Sequence, residues 1–169
     1  MKRISIEQAM NLKFPEWVTF VVTADTGSGG KPNIMPLGWI MTCSFEPPMI
    51  ALAVAATRYT HELLCRSPRF VVAFAGEGQA DLIRRTGLCT GRKVDKFEKL
   101  KIPHEIGPET HCPLLTEAAF NLECEVVDKL RTGDHTLFVA RILAAYVPEA
   151  PVRKIENFGG DRFAPALPA

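Results

Sequence analysis

The sequence has no long hydrophobic run and no cluster of charges of one sign. Its longest purely apolar stretch, residues 49–56, is too short to cross a bilayer, and no apolar segment follows the two basic residues at the N-terminus. The formal net charge is only +1. These absences argue against a membrane span, a signal peptide and a dedicated nucleic-acid-binding surface. We therefore expect neither a membrane nor a nucleic-acid partner.

Paired cysteines are also missing. The five cysteines are odd in number, are widely spaced and form no C-x-x-C motif, which argues against a disulfide framework and a zinc ribbon. His104, His111 and Cys112 lie near one another in the sequence, but their spacing matches no zinc motif. We predict no metal site and a reducing, cytoplasmic location.

Two nucleotide-binding motifs are absent as well. No G-x-G-x-x-G follows a predicted strand and no P-loop is present, so a Rossmann dinucleotide site and a nucleoside triphosphatase are disfavoured. What remains is a chain of 169 residues, of which 47% are apolar and 23% charged. Length and composition predict one globular domain that spans residues 1–169.

Alternating apolar and β-branched residues predict a mainly β protein. Strands are expected at residues 16–25, 33–44, 49–56, 69–75, 120–127 and 135–147. The glycine-rich residues 26–33 predict a hairpin turn between the first two strands. The last strand is apolar on both faces, so it needs a second layer, which is either a helix or another subunit.

Short helices are predicted between the strands. They are expected at residues 60–66, 77–86 and within 90–100, residues 102–116 are expected to be a loop, and the tail after Val147 is expected to be an extended arm. Strands joined by short turns with helices inserted among them predict a β-barrel with helical insertions and a Greek-key-like order.

Residues 58–64 (RYTHELL) place anion-binding side chains at a predicted helix start. Thr60 is a good N-cap residue, and the free N–H groups of a helix start attract anions. Arg58 and His61 add further donors, so one interpretation is a phosphate-binding corner. The other is that Thr60 only caps the helix while Arg58 and His61 face solvent. The residues alone leave both open.

Three other groups of residues also allow two interpretations each. Arg92, Lys93 and Lys96 beside Phe97 form either a solvated helix face or a lid over an anion. Trp39 beside Gly38 is either a core side chain or the border of a planar ligand. His135 is either a proton donor near neutral pH or simply a polar residue at the start of a strand.

The order of these segments resembles the flavin reductase-like family, and most closely its flavoredoxin-like branch. The resemblance covers residues 14–163. Its motifs are Asn-x-Met-x-x-x-Trp from Asn33, Cys-Ser-x-x-Pro-Pro from Cys43, Arg-x-Thr-His from Arg58, Thr-Gly-x-x-x-Asp-Lys-Phe from Thr90, and Gly-Asp-His-x-Leu-Phe-Val from Gly133.

The resemblance implies an FMN-binding split β-barrel that forms a homodimer with one FMN per subunit. It places His135 near the ring face where a hydride donor or electron acceptor arrives, with a catalytic role. The residues it assigns to the cofactor are Asn33, Trp39, Met41, Thr42, Cys43, Ser44, Thr57, Arg58, Thr60, His61, Lys93, Lys96, Phe97 and Phe163.

Three functions are compatible with the sequence. The first is an FMN-dependent oxidoreductase in which NAD(P)H delivers a hydride to the flavin, and the flavin passes electrons to a small molecule or a protein. The second is a flavoredoxin-type electron carrier or flavin-binding module with no nicotinamide activity of its own. The third is a split barrel that has lost flavin and binds haem or a phosphorylated vitamin.

Overall fold

The computed structural model describes residues 1–24 and 31–167. The end of the first predicted strand at Asp25 and most of the turn predicted at residues 26–33 lie outside the described residues. The helices are α1 (Ile6–Asn11), α2 (Tyr59–Arg66), α3 (Ala80–Gly87) and α4 (Lys96–Leu100), with a 3-10 turn at Glu77–Gln79. The strands are β1 (Glu16–Trp17), β2 (Thr19–Thr23), β3 (Asn33–Leu37), β4 (Ile40–Phe45), β5 (Pro48–Ala55), β6 (Arg69–Phe74), β7 (His104–Ile106), β8 (Pro113–Leu115), β9 (Phe120–Thr132), β10 (His135–Tyr146), β11 (Ile155–Asn157) and β12 (Phe163–Pro165).

A seven-stranded antiparallel sheet forms the body of the protein. Its strand order is β3-β2-β6-β9-β10-β5-β4. The two edge strands, β3 and β4, are consecutive in the chain and are separated only by Gly38 and Trp39. Three residue steps span at most about 11 Å, so the two edges must approach each other. The sheet therefore curls into a barrel that stays open between β3 and β4.

This closure corrects one prediction. Residues 33–44 are not one interrupted strand: β3 pairs with β2, while β4 pairs with β5 at the opposite edge. Gly38 sits where the chain changes edge, close against the carboxyl group of Glu16, and an added Cβ would overlap that group. The glycine that the sequence suggested as an interruption is thus the crossing point between the two edges.

Two further predictions are wrong in detail. The predicted loop at residues 102–116 contains a two-stranded sheet formed by β7 and β8. The predicted N-cap at Thr60 is two residues too late, because α2 begins at Tyr59 with Arg58 as its N-cap and without a side-chain cap. By contrast, Asp95 caps α4 as a short polar residue should, since its Oδ1 accepts from the backbone N–H of Glu98 at 3.0 Å.

The central strands are buried on both faces. All five residues of β2 are buried, and its alternate side chains enter two separate apolar clusters. Phe20 and Val22 face the cluster beneath α3 and α4, whereas Val21 faces the barrel interior with Leu52 and Phe138. Helices cover one face and barrel closure covers the other, so the continuous apolar pattern of these strands is accounted for.

The long hairpin β9–β10 turns at Gly133 and Asp134. Gly133 has a φ of 60°, which favours glycine. β10 buries Phe138 and Ala140 on its inner face, but its outer face is only partly covered. The second layer predicted for that face is therefore not supplied by the described part of this chain.

The C-terminal arm, which was predicted to be extended, contains the two short strands β11 and β12. β11 pairs with both β1 and β12 in a small three-stranded sheet. Phe163 packs against the cluster beneath α3, and the guanidinium of Arg84 lies 5.1 Å from its ring centroid. No helix among the described residues is long and apolar enough to span a membrane.

Candidate cofactor cleft

A cleft of about 590 Å³ opens at the split of the barrel. It is bounded by β3, by the start of α2 and by the segment after α3, and its far end is formed by the turn before β10. Of the predicted site residues, seven line it: Asn33, Trp39, Thr57, Arg58, Thr60, Lys96 and His135. The structure thus brings together residues that are more than 100 positions apart in the sequence.

The start of α2 supplies unsatisfied donors to the cleft. The backbone N–H of His61 bonds the carbonyl of Arg58 at 3.1 Å, but those of Tyr59 and Thr60 have no acceptor among the described residues. The Arg58 side chain is exposed and forms no ion pair with any described carboxylate. A helix start and a free guanidinium at one point favour binding of an anion.

Asn33 orients the hydroxyl group of Thr60. Both side chains are buried, and the Asn33 amide donates to the Thr60 Oγ at 2.9 Å. Since the oxygen accepts this bond, the Thr60 O–H remains available to donate into the cleft. Gly91 lies against the same amide so closely that a Cβ there would overlap the Asn33 oxygen. The prediction that Asn33 and Thr60 belong to one site agrees with this geometry.

Lys96 is a buried cation that holds the cleft wall together. Its ammonium group donates to the carbonyls of Thr86 at 2.7 Å and Ile34 at 2.8 Å, which ties the end of α3 to β3. Burial lowers the pKa of Lys96, and the charge of Arg58 lowers it further, whereas Cys89 has the opposite effect. Asp134 is the one acidic residue among the described residues that line the cleft. The Arg58 end is therefore strongly cationic.

Trp39 and His135 close the other end of the cleft. Their rings are stacked with centroids 4.6 Å apart and planes inclined by 32°. Asp134 accepts from the Nδ1–H of His135 at 2.7 Å, and this bond lowers the pKa of Asp134. The bond fixes the proton of a neutral His135 on Nδ1, so Nε2 is the nitrogen that can exchange a proton.

Four predicted residues lie on β4, outside the cleft. Met41 and Thr42 line a second, more open groove of about 820 Å³ on the other side of Trp39. Cys43 is exposed and is the extra residue of a β-bulge, because Thr42 pairs with Ile50 and Ser44 with Met49. The cleft and the groove share Gly38, Trp39 and Ala53, so Trp39 is the partition between them.

The remaining predicted residues point elsewhere. His61 is turned toward β10, where its Nε2 meets the Thr136 Oγ at 2.9 Å. Lys93 is exposed on the segment before α4 and does not line the cleft, and Phe97 is buried in the cluster beneath α4 against His104. Phe163 lies under Arg84, as described above. In the described chain these four side chains are outside the cleft wall.

The sequence reasoning missed several cleft residues. Most of them are small residues. From the end of α3 and the segment after it come Thr86, Gly87, Cys89, Thr90 and Gly91, and from β5 come Ala53, Val54 and Ala55; Tyr59 and Asp134 complete the set. Thr90 and Gly91 belong to the Thr-Gly-x-x-x-Asp-Lys-Phe motif, so the sequence did indicate that this segment is part of the site. The residues of β5 read only as an apolar strand and gave none.

An open antiparallel barrel with a cationic cleft at its split defines the split-barrel class. Residues 10–164 match the family described as "Flavin reductase like domain". The chain therefore belongs to the flavin reductase-like family, as the motifs predicted.

Relatives with a described activity include an NADH-dependent FAD reductase from Streptomyces globisporus. It is 30% identical over 157 residues, which cover 89% of this chain and 79% of that protein. An uncharacterised protein from Archaeoglobus fulgidus is 38% identical over 113 residues, or 67% of this chain. The match spans 64% of the Archaeoglobus protein, less than two thirds of its length.

Solved structures agree on the fold. A flavoredoxin from Methanosarcina acetivorans has a TM-score of 0.83 at 27% identity, covering 100% of this chain and 94% of its own. An FMN-binding protein from Thermus thermophilus with bound 1-cyclohex-2-enone has a TM-score of 0.82 at 26% identity, covering 98% of this chain and 95% of its own. The predicted split-barrel fold and the resemblance to flavoredoxins are confirmed.

Proposed function

We propose that this protein is an FMN-dependent oxidoreductase that takes a hydride from NADH or NADPH and passes electrons to a second flavin, a metal complex or a partner protein. One observation carries the proposal. The cleft joins a cationic corner with free donors at one end to an indole border at the other. A ligand with an anionic tail and a planar ring fits this arrangement.

The residues present fit a phosphate group at the start of α2. Arg58, the free N–H groups of Tyr59 and Thr60 and the Thr60 hydroxyl are donors on one wall. The buried Lys96 adds positive charge behind them. A terminal phosphate carries about −1.5 to −2 charges at neutral pH, which this corner can balance. The cleft volume of about 590 Å³ lies within the range of about 300–1,000 Å³ that small-molecule sites occupy.

The reaction needs little chemistry from the protein itself. When bound, the flavin supplies the redox chemistry, and the chain supplies binding, orientation and electrostatics. Arg58 and Thr60 hold the anionic end, and Trp39 excludes water from the opposite border. His135, steadied by Asp134, can hold or release a proton at Nε2.

A flavin-binding electron carrier without nicotinamide activity is the alternative, and its test is simple. Under anaerobic conditions, we expect NADH or NADPH to bleach the visible absorption of the FMN-loaded protein. When O₂ is then admitted as the electron acceptor, His135→Ala is expected to slow reoxidation by about tenfold. This is less than the ~10²–10⁴-fold typical of general acids, because water can also exchange the proton. The rate of bleaching should not change, because hydride transfer itself needs no proton donor.

Each outcome has a defined meaning. If neither nicotinamide bleaches the flavin but dithionite does, the protein is a carrier. If the protein binds FAD tightly and FMN weakly, the cofactor assignment is wrong. If His135→Ala reduces and reoxidises flavin at wild-type rates, His135 has no proton-handling role.

We also propose a homodimer that forms through β4. This strand is an unpaired edge of the sheet, and it exposes Met41 by 56% and Phe45 by 89%. Exposed apolar edge strands favour pairing with another chain. Light scattering is expected to give the mass of two chains for the wild type and of one chain for Phe45→Lys. A wild-type mass of one chain at all concentrations would refute the proposal.

A further inference from the structure

Three side chains outside the cleft form a linked set between α2 and β10. The Sγ of Cys65 lies 3.9 Å from the Nδ1 of His61, and the Nε2 of His61 lies 2.9 Å from the Oγ of Thr136. Cys65 and His61 are four residues apart on α2, so they share one helix face. Cys65 is exposed to solvent. The set therefore contains a nucleophile (Cys65), a base (His61) and a group that orients the base (Thr136).

The surroundings of His61 fix both its orientation and its protonation. Its ring meets the buried ring of Phe138 edge to face, with centroids 5.4 Å apart. Burial lowers the pKa of His61, and the charge of Lys129 lowers it further. His61 is thus neutral at pH 7. In the tautomer in which Nε2–H donates to Thr136, the Nδ1 lone pair faces the Cys65 thiol, and this is the tautomer in which His61 can act as a base.

We propose that Cys65 is a peroxide-reactive thiol and that His61 is its general base. The Cys65 sulfur attacks one oxygen of hydrogen peroxide while His61 takes the thiol proton. The O–O bond breaks, the sulfur is oxidised to a sulfenic acid, and the departing hydroxide takes the proton from His61 to give water. The thiol and one peroxide are converted into one sulfenic acid and one water, and a low-molecular-weight thiol can restore Cys65.

The same chain contains a matched reference thiol. Cys43 is also exposed, but no histidine lies within hydrogen-bond distance of its sulfur among the described residues. Cys112 and Cys124 are buried, and burial raises the pKa of each of these two thiols. Cys65 therefore differs from Cys43 in its base and from the buried pair in its exposure.

A metal site is a poorer explanation of the same residues. No group of three His, Cys, Asp or Glu side chains suited to a metal occurs in residues 1–24 and 31–167.

Peroxide reactivity of Cys65 does not depend on the proposed function. Cys65 and His61 are not part of the cleft wall, so the reaction is expected with or without bound flavin.

The test is a timed reaction of the 169-residue protein with hydrogen peroxide, with dimedone present to trap sulfenic acid and peptide mapping to locate it. In the Phe45→Lys variant, in which no second chain covers Cys43 on β4, we expect trapping at Cys65 at least tenfold faster than at Cys43. His61→Ala is expected to reduce the rate at Cys65 to that at Cys43, and Thr136→Val is expected to reduce it several-fold. Neither variant should change the rate at Cys43.

Two controls keep the result interpretable. Cys65→Ser identifies the labelled peptide, and thermal melting shows whether His61→Ala remains folded. If it does not, Thr136→Val decides, because this substitution keeps the side-chain shape on β10. Equal labelling of Cys65 and Cys43 in the Phe45→Lys variant would overturn the proposal, as would an unchanged rate at Cys65 in folded variants of both His61 and Thr136.

Discussion

Replacing Arg58 with alanine is expected to weaken FMN binding by about ten- to a hundredfold. A hydrogen bond to a charged group contributes about 1.5–3 kcal/mol, and about 1.4 kcal/mol corresponds to a tenfold change in affinity. Arg58 has no ion-pair partner among the described residues, so its loss removes the proposed contact with the cofactor and no internal ion pair. Quenching of flavin fluorescence on titration gives the dissociation constants.

Riboflavin and a second arginine provide the controls. Riboflavin lacks the phosphate, so its affinity should change little in Arg58→Ala. Arg66 stands at the other end of α2 and is paired with Glu62. Arg66→Ala should therefore leave both affinities near wild type. Equal losses for FMN and riboflavin in Arg58→Ala would mean that the phosphate does not bind at this corner.

Glu123→Ala is expected to cost about 3 kcal/mol or more in the free energy of unfolding. Glu123 is a fully buried carboxylate on β9. It accepts from the Thr110 N–H at 2.7 Å, the Thr110 hydroxyl at 2.6 Å and the Tyr146 hydroxyl at 2.8 Å. Removing the acceptor leaves these donors without a partner, which costs about 1–3 kcal/mol of stability for each buried unsatisfied group. Urea unfolding at pH 7 measures the loss.

The effect of Glu123 depends on pH in a defined direction. Burial alone would raise the pKa of Glu123, but the bonds from Thr110, Tyr146 and Glu109 outweigh it and hold the pKa below the usual 4.5. A carboxyl group with a lowered folded-state pKa stabilises the fold above its unfolded-state pKa. That contribution is lost as the pH falls through the folded-state pKa. The difference between wild type and Glu123→Ala should therefore shrink below pH 4.5.

Glu125 on the same strand is the matched control. Its ion pairs with Arg69 and Arg141 are near the surface, where such pairs contribute about 0–1 kcal/mol. Glu125→Gln should change the midpoint of urea unfolding little at any pH. A Glu123→Ala protein as stable as Glu125→Gln would show that the buried hydrogen bonds around Glu123 do not stabilise the fold.

The proximity of Arg58 and Thr60 in one corner of the cleft could be predicted because it is local. Arg58 and Thr60 follow directly after a buried strand, so their proximity at the start of a helix is set by sequence distance alone. The residue at which the helix begins could not be predicted from sequence distance. Thr60 looked like the cap, but its hydroxyl accepts from Asn33, which is 27 positions away in the chain.

Side-chain direction explains most of the misplaced residues. His61 and Thr60 are adjacent, yet one turns toward β10 and the other into the cleft, because successive residues of a helix point about 100° apart. Lys96 and Phe97 differ in the same way. A sequence motif gives the position of each residue along the helix, but the face that meets the cleft depends on how the helix packs.

The largest error in the fold has a topological cause. Residues 33–44 have a strand-like pattern that is interrupted at Pro36 and Gly38, but nothing within them shows that β3 and β4 pair at opposite edges of the sheet. The position of Gly38 becomes meaningful only when the barrel is closed. That same closure creates the cleft, so only part of its lining could be predicted from the sequence, and its shape could not.

A crystal structure of the protein with FMN is the most direct test of the central claim, that the cleft at the barrel split holds a flavin phosphate at the start of α2. We expect the phosphate within hydrogen-bond distance of the Arg58 guanidinium and the Thr60 hydroxyl, with the ring extending toward Trp39. A phosphate bound away from Arg58, or a flavin seated in the groove beyond Trp39, would contradict it.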